Sequence, residues 1–279
     1  MEPVGKERAL VLGGGGVTGI AWEIGVIAGL ARSGIDVVAA ADVLIGTSAG
    51  ATVAAQISSS TSVSALFRRQ IDGSAAAEPV LELDVRQLIA RFSEIMSAEP
   101  DGERARARIG TLALAQDRVP EDERRRIIEN RLPSHVWPEW GPELWLTAAD
   151  AATGKLRIFD RNSGVSLVDA VAASCAIPVV WPAVSIDGMR YIDGSFRSAT
   201  NLDLASGFAR VLVLQPMDLG ATADVRSLDD RSVAHLIRPD PVASAAMSEF
   251  LDPTAAARSA REGYRQGRAA APLLGPFWL

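Results

Sequence analysis

Two apolar runs near the start of the chain each end in a glycine-rich turn that leads into a helical pattern. The run RALVL (8–12) precedes GGGGVTG (13–19), and the run ADVLI (41–45) precedes GTSAG (46–50). Strand, helix, strand and helix within the first 60 residues predict parallel strands joined by right-handed crossovers. Because parallel strands end at the same edge of a sheet, the two glycine turns are expected to lie side by side.

Strand patterns return only after a long helical stretch. No strand pattern occurs between about residues 60 and 135, which we interpret as a helical insertion. Helices are predicted at 103–117, at 121–132 and after the N-cap Ser166. Strands are predicted at 143–150, 155–160, 189–192 and 209–216. The last 60 residues are predicted to be mostly helix and loop, with His235 on a helix or loop. These patterns indicate an α/β fold with a mostly parallel central sheet.

Composition excludes several classes of function. The chain of 279 residues has a net charge of −6 and therefore lacks the positive surface that binds nucleic acid. One cysteine, Cys175, and two histidines are too few for a structural zinc site. No signal-peptide pattern is present. The most apolar window, 9–31, is interrupted by glycines and Glu23, so it does not predict a membrane-spanning helix. We expect a cytoplasmic protein that binds neither nucleic acid nor metal.

The stretch GTSAG has the G-x-S-x-G pattern of a nucleophile elbow. Such a turn exposes a serine hydroxyl between a strand and a helix, and its glycines, here Gly46 and Gly50, permit close backbone approach. Ser48 is therefore a candidate nucleophile. The alternative is that Ser48 only caps the following helix.

A serine nucleophile needs an oxyanion hole, and the first glycine turn is a candidate for one. Consecutive glycines let several backbone N–H groups converge on one oxygen. The candidate donors are the N–H groups of Gly13, Gly14, Gly15, Gly16 and Ala49. The turn also matches the dinucleotide fingerprint G-x-G-x-x-G at Gly14, Gly16 and Gly19, although no acidic residue closes the second strand.

The general base is either a histidine or a carboxylate. The order Ser48, Asp193, His235 fits the triad order of α/β-hydrolases, but those enzymes reach their elbow after more strands. His135 lies in a proline-rich connection. Asp193, in YIDGS, follows a predicted strand and precedes Gly194; a shielded carboxylate can have its pKa raised enough to act as a base. The alternative for Asp193 is an ordinary Asp-Gly turn.

Three stretches in this order, GGGGVTG, GTSAG and DGS, resemble the glycine loop, nucleophile elbow and Asp-Gly motif of patatin-like phospholipases. The stretches LTAADAATGKLRIF and AVAASCAIPVVWPAVSIDGMRYIDGS resemble the family's central strand pair and the segment that leads into its Asp-Gly motif. The resemblance covers about 8–216. It implies a three-layer α/β/α domain with a mostly parallel sheet, and we expect 217–279 to form a helical extension packed on that domain.

The resemblance also implies the chemistry. Ser48 and Asp193 would form a dyad without histidine, metal or cofactor, the glycines of 13–16 would supply the oxyanion hole, and the substrate would be an acyl ester of a phospholipid or another lipid. The chain departs from the family at two positions: Thr18 replaces a basic residue, and Ser195 replaces glycine or alanine in the Asp-Gly motif.

Several alternatives stay open. The same dyad could transfer an acyl group to an alcohol, or Thr18 could mark a lipid-binding protein with little catalysis. The apolar residues of the insertion either line an acyl groove or pack in the core; they are Leu88, Ile89, Phe92, Ile95 and Met96. The aromatic end GPFWL either makes transient contact with a membrane surface or docks on the domain.

Overall fold

The computed structural model describes residues 7–74, 84–115, 119–217 and 227–279, and its central element is an eight-stranded sheet. The strands are β1 (Arg8–Leu12), β2 (Val43–Thr47), β3 (Glu143–Asp150), β4 (Leu156–Phe159), β5 (Val184–Ile186), β6 (Met189–Asp193), β7 (Arg210–Leu214) and β8 (Val233–Ile237). The helices are α1 (Gly16–Arg32), α2 (Ala49–Ile57), α3 (Val63–Ile71), α4 (Val85–Ala98), α5 (Gly102–Leu114), α6 (Glu121–Arg131), α7 (Leu167–Ser174), α8 (Pro241–Ala246) and α9 (Ala256–Trp278).

The sheet is parallel in the middle and antiparallel at one end. Its order is β5-β6-β3-β2-β1-β7-β8, and β4 pairs with β3 outside this path. The strands β3, β2, β1, β7 and β8 run parallel to one another, whereas β4 and β6 run antiparallel to β3. The carboxyl ends of β1 and β2 therefore lie together, as the sequence predicted.

Strands β2 and β6 meet end to end along one edge of β3. Thr47 at the end of β2 pairs with Thr147, and Asp193 at the end of β6 pairs with Ala148, the next residue of β3. Strand β4 pairs with β3 over 146–149 and so occupies the opposite edge. Because β6 is antiparallel to β2, their carboxyl ends point toward each other.

Both faces of the sheet are covered. On one face, Leu10, Leu12 and Leu44 belong to a large buried cluster with residues of α1, α2, α3, α7 and α9. On the other face, Val11 and Ile45 pack with the segment around 202–208. The central strands are buried on both sides, which explains their continuous apolar runs in the sequence.

The tail helix α9 packs along α1 through small residues on both helices. A β-carbon added to Gly25 would lie 2.2 Å from the carbonyl oxygen of Ala260, and one added to Gly267 would lie 2.1 Å from that of Val26. The two backbones are thus in direct contact, and any larger side chain at these positions would force the helices apart.

The predicted α/β fold with a mostly parallel sheet is confirmed, with corrections in detail. The insertion is helical in its described residues, and the helix predicted at 103–117 ends at Leu114, with 116 and 117 outside the described part of the chain. The prediction that His235 lies on a helix or loop of the tail is wrong, because β8 extends the sheet there and carries His235. This edge strand buries only Ile237, so its sequence lacks the apolar pattern of a central strand. The three-residue β5 was missed as well.

Candidate active site

Ser48 occupies a sharp turn between β2 and α2. Its φ of 55° and ψ of −116° are strained for a residue with a β-carbon, which is typical of a functional turn. A β-carbon on Gly46 would lie 2.6 Å from Cα of Ala51, and one on Gly50 would lie 2.1 Å from the carbonyl oxygen of Leu12. Both glycines of the predicted elbow are therefore required by close packing.

The hydroxyl of Ser48 makes no capping bond to α2. It donates instead to Oδ2 of Asp193, at 2.6 Å. The two residues are 145 positions apart in the chain and meet because β2 and β6 end face to face beside β3. Asp193 is fully buried, and Ser48 exposes only 5% of its surface.

The carboxyl group of Asp193 lies in an environment that makes it more basic than usual. Burial raises the pKa of Asp193 to about 6, against the opposing effect of hydrogen bonds from Ser48 and Ser195 and of the positive charge of Arg124. One of these bonds joins the N–H of Ser195 to Oδ1, at 2.8 Å. With this pKa, Asp193 is ionised at neutral pH yet able to accept a proton.

The end of α7 holds the backbone of the elbow. The N–H of Ser48 donates to Oγ of Ser174 at 2.9 Å, and Sγ of Cys175 donates to the carbonyl oxygen of Ser48 at 3.1 Å. Burial raises the pKa of Cys175 to about 11, so the thiol stays neutral. Cys175 is thus a buried packing residue and hydrogen-bond donor.

The glycine turn 13–19 lies against the elbow. A β-carbon added to Gly14 would lie 3.5 Å from Cβ of Ser48, and the carbonyl oxygen of Gly13 accepts the N–H of Gly50 at 2.9 Å. The N–H of Gly13 donates to the carbonyl oxygen of Leu214, and that of Gly14 donates to the carbonyl oxygen of Ala199. These two N–H groups are therefore already engaged within the protein.

The remaining predicted donors stand at helix starts. Gly15 precedes α1, Gly16 is its first residue with a φ of 61°, and Ala49 is the first residue of α2. First-turn N–H groups have no acceptor within their own helix. A β-carbon on Gly16 would lie 2.3 Å from the carbonyl oxygen of Phe250, so the C-terminal part of the chain packs on this loop.

Gly19, the last glycine of the turn, completes the contact between the two motifs. A β-carbon there would lie 3.5 Å from Cβ of Ala49, so the turn that matched a dinucleotide fingerprint packs against the start of α2. Gly194 is equally confined, because its β-carbon would lie 2.5 Å from the carbonyl oxygen of Thr147.

Glu23 is a buried acid that the sequence analysis did not assign to the site. Its Oε1 is a second acceptor for the N–H of Gly13, at 2.9 Å, and its Oε2 has no hydrogen-bond partner among the described residues. Burial raises the pKa of Glu23 well above its ordinary value. The signal in the sequence was an acidic residue inside the most apolar window, between Trp22 and Ile24.

Neither histidine lies beside the dyad. His235 is on β8, and strands β7 and β1 separate it from β2. The centroid of its ring lies 5.8 Å from the centroid of the Phe277 ring. The ring of His135 bonds to the carbonyl oxygen of Glu129 at the surface. The triad order suggested by the sequence thus has no counterpart in the geometry.

The helical insertion covers the end of β6 with apolar side chains. Phe92 of α4 is buried, and its ring packs edge-on against Phe196 at 4.9 Å between centroids, shortly after Asp193 in the chain. Leu88 and Ile95 are partly buried in the same cluster. Ile89 and Met96, by contrast, are exposed.

Two kinds of feature are absent from the described ranges. No group of three or more His, Cys, Asp or Glu side chains in them could hold a metal ion. Among the helices described above, none combines the length and the apolar composition needed to cross a bilayer.

The chain matches a known protein family over most of its length. The family model described as patatin-like phospholipase matches residues 10–206, more than two thirds of the chain. The chain belongs to the patatin-like phospholipase family. Membership implies hydrolysis of lipid esters, and the match includes the glycine turn, the elbow and the Asp-Gly motif. No curated protein sequence matches the chain.

Solved structures give a distant likeness. VipD from Legionella pneumophila has 14% identity and a TM-score of 0.47, with 97% of this chain and 67% of VipD covered. The type III effector ExoU has 16% identity and a TM-score of 0.37, with 94% of this chain and 54% of ExoU covered. ExoU of Pseudomonas aeruginosa in complex with SpcU has 16% identity and a TM-score of 0.36. The chain spans about half the length of ExoU.

Proposed function

We propose that this member of the patatin-like phospholipase family is a serine hydrolase that cleaves acyl esters of lipids, such as phospholipids or lysophospholipids. Ser48 is the nucleophile and Asp193 the general base. The observation that carries the proposal is the 2.6 Å hydrogen bond from Oγ of Ser48 to Oδ2 of Asp193, made at a strained turn and away from bulk water.

In the first half of the reaction, Asp193 accepts the hydroxyl proton while Oγ of Ser48 attacks the ester carbonyl carbon. The tetrahedral intermediate collapses, the bond to the alcohol oxygen breaks, and Asp193 returns its proton to that oxygen. An acyl-serine and a free alcohol or lysolipid result. The raised pKa of Asp193 supports both transfers, because a base with a pKa near the working pH also reprotonates the leaving group readily.

In the second half, a water molecule replaces the alcohol. Asp193 takes a proton from the water as its oxygen attacks the acyl carbon, and the bond to Oγ of Ser48 then breaks. The proton returns to Ser48, and a fatty acid is released. Transfer to a second alcohol instead of water would follow the same steps, so the acceptor distinguishes a hydrolase from an acyltransferase.

The N–H groups of Gly15, Gly16 and Ala49 are our candidates for holding the oxyanion. They belong to helix starts beside Ser48, where N–H groups lack helical acceptors and the helix dipole favours negative charge. Gly13 and Gly14 support the same loop through hydrogen bonds to neighbouring carbonyls. Removing one oxyanion donor typically lowers kcat by about 10²–10³.

Arg124, in the insertion, contributes a positive charge that acts on Asp193, whereas position 18 is uncharged. Thr18 is buried on α1 and brings no charge. Arg124 of α6 is buried with its guanidinium 3.7 Å above the ring of Trp181, and its charge favours the ionised form of Asp193.

Covalent labelling with a fluorophosphonate tests the proposal. Wild type, Ser48→Ala, Asp193→Asn and His235→Ala would be labelled and the adduct mapped, in parallel with hydrolysis of phospholipid, lysophospholipid and short-chain esters. We expect an adduct on Ser48 in wild type and in His235→Ala, the matched control for a histidine base, and none in the other two variants.

Three results would change the proposal. An unlabelled, folded wild type that still binds vesicles would favour a lipid-binding protein. Loss of labelling in folded His235→Ala would contradict the dyad. Acyl products with an added alcohol in place of fatty acid would identify an acyltransferase.

A further inference from the structure

A buried asparagine contacts the residue before Ser48 and the residue after Asp193. Asn201 follows Asp193 closely in the chain, is fully buried and adopts the left-handed conformation, with a φ of 50° and a ψ of 42°. Asparagine tolerates this conformation better than most residues with a β-carbon. Neither the family match nor the sequence motifs assign it a role.

The side-chain amide of Asn201 reaches both strand ends. Its Nδ2 donates to Oγ1 of Thr47 at 3.0 Å and to Oγ1 of Thr147 at 3.2 Å, and it lies 3.4 Å from the carbonyl oxygen of Gly194. A further contact, at 3.1 Å, joins it to the carbonyl oxygen of Ser198. The two threonine hydroxyls share a hydrogen bond of 2.8 Å.

These partners adjoin the reacting residues. Thr47 immediately precedes Ser48, and Gly194 immediately follows Asp193. Thr147 belongs to β3, where the two strands meet end to end. The partner of β3 changes from β2 to β6 at this point, and the amide of Asn201 contacts β3 and both of these strand ends here.

The orientation of the amide is set from its other side. Nη1 of Arg197 donates to Oδ1 of Asn201 at 2.7 Å. Arg197 is itself held by a two-point contact with Asp203, at 2.9 and 2.6 Å. Because an arginine only donates, Oδ1 must face Arg197 and Nδ2 must face the threonines.

We propose that Asn201 is a positioning residue for the reaction of Ser48 and Asp193. It ties the end of β2 to β3 through the hydroxyls of Thr47 and Thr147, beside Gly194, and thereby sets the approach of the hydroxyl of Ser48 to the carboxylate. The inference rests on the proposed function. It predicts that loss of the amide or of its threonine partner slows chemistry without weakening substrate binding, since a misplacement of about 1 Å can cost on the order of 10² in rate.

The test uses two independent ways to break the contact. Asn201→Gly keeps the left-handed conformation and removes the amide, and Thr147→Val keeps the shape and removes the hydroxyl. Thr147→Ser retains the hydroxyl as the conservative rescue. Thr200→Val is the matched control, because Thr200 is buried next to Asn201 in the chain and its Oγ1 has no hydrogen-bond partner in the part of the chain that the structure describes.

For each variant, kcat and KM for a soluble ester, the rate of fluorophosphonate labelling and the thermal midpoint would be measured below the unfolding transition. We expect kcat and labelling to fall by about 10–100-fold in Asn201→Gly and Thr147→Val, with KM within about twofold of wild type. Thr147→Ser and Thr200→Val should react like wild type.

The outcomes separate this inference from the proposed function. Wild-type kcat in folded Thr147→Val would overturn it, even if Asn201→Gly failed to fold. A lower thermal midpoint with unchanged kcat and labelling would also overturn it, because the network would then be only structural. Ser48→Ala is measured in the same series: if that variant keeps wild-type activity, the proposed function fails instead.

Discussion

Acidification is expected to stop the reaction by protonating one carboxyl group, that of Asp193. Burial raises its pKa from 3.8 to about 6. A general base must be unprotonated, so about nine-tenths of the molecules are competent at pH 7 and about one-tenth at pH 5. We therefore expect kcat/KM for a soluble ester to be level above pH 7 and to fall about tenfold per pH unit well below pH 6.

The same shift in pKa has a cost in stability. The unfolded chain releases this proton near its ordinary pKa of 3.8, and the folded protein releases it only near 6. The free energy of unfolding therefore decreases as the pH rises from about 4 to about 6 and stays lower above that range. A shift of about two units corresponds to about 3 kcal/mol. Asp193→Asn cannot ionise, so it should be more stable than wild type by up to about 3 kcal/mol at pH 8.

Urea unfolding at pH 4 and pH 8, together with ester hydrolysis from pH 4 to 9, checks both effects. Asp187→Asn is the matched control, because Asp187 is an exposed carboxylate in the turn between β5 and β6. It should follow wild type in stability and activity. An activity profile that stays flat down to pH 4, or an Asp193→Asn variant with no pH-dependent gain in stability, would refute the reasoning.

Three further predictions concern residues around the dyad. Gly50→Ala places a β-carbon 2.1 Å from the carbonyl oxygen of Leu12, so it should lose about 1–3 kcal/mol in urea unfolding and most fluorophosphonate labelling. Glu23→Gln should raise the unfolding midpoint at pH 8 but not at pH 4, since burial raises the pKa of Glu23 and its ionisation destabilises the fold as the pH rises. Ser195→Ala removes a side chain that lowers the pKa of Asp193, so the acid limb of the kcat/KM profile should move to higher pH.

The sequence by itself determined the local parts of this protein. Buried strands, glycine turns and the N-cap at Ser166 each follow from constraints within a few residues, and the structure has them at the predicted places, with β2 shifted by two residues. The elbow is the clearest case. A serine at positive φ between two glycines is needed for so sharp a turn, so the pattern G-x-S-x-G already indicates an exposed, strained hydroxyl.

Only the tertiary structure decided which groups meet at that hydroxyl. The contact of Ser48 with Asp193 depends on β6 running antiparallel along the edge of β3 that β2 also uses, and no local pattern records such a register. The engagement of the Gly13 and Gly14 N–H groups depends in the same way on neighbouring carbonyls.

The sequence did not predict the roles of the buried polar groups or the last strand, for a related reason. In the sequence, Asn201 lies between predicted elements and Glu23 is a charged residue in an apolar helix. Their roles depend on hydrogen-bond partners from other segments of the chain. Strand β8 is extended by its pairing with β7, since its own residues bury too little surface to predict a strand. Neighbouring residues determine local conformation, whereas strand register and side-chain burial are determined only when distant segments pack together.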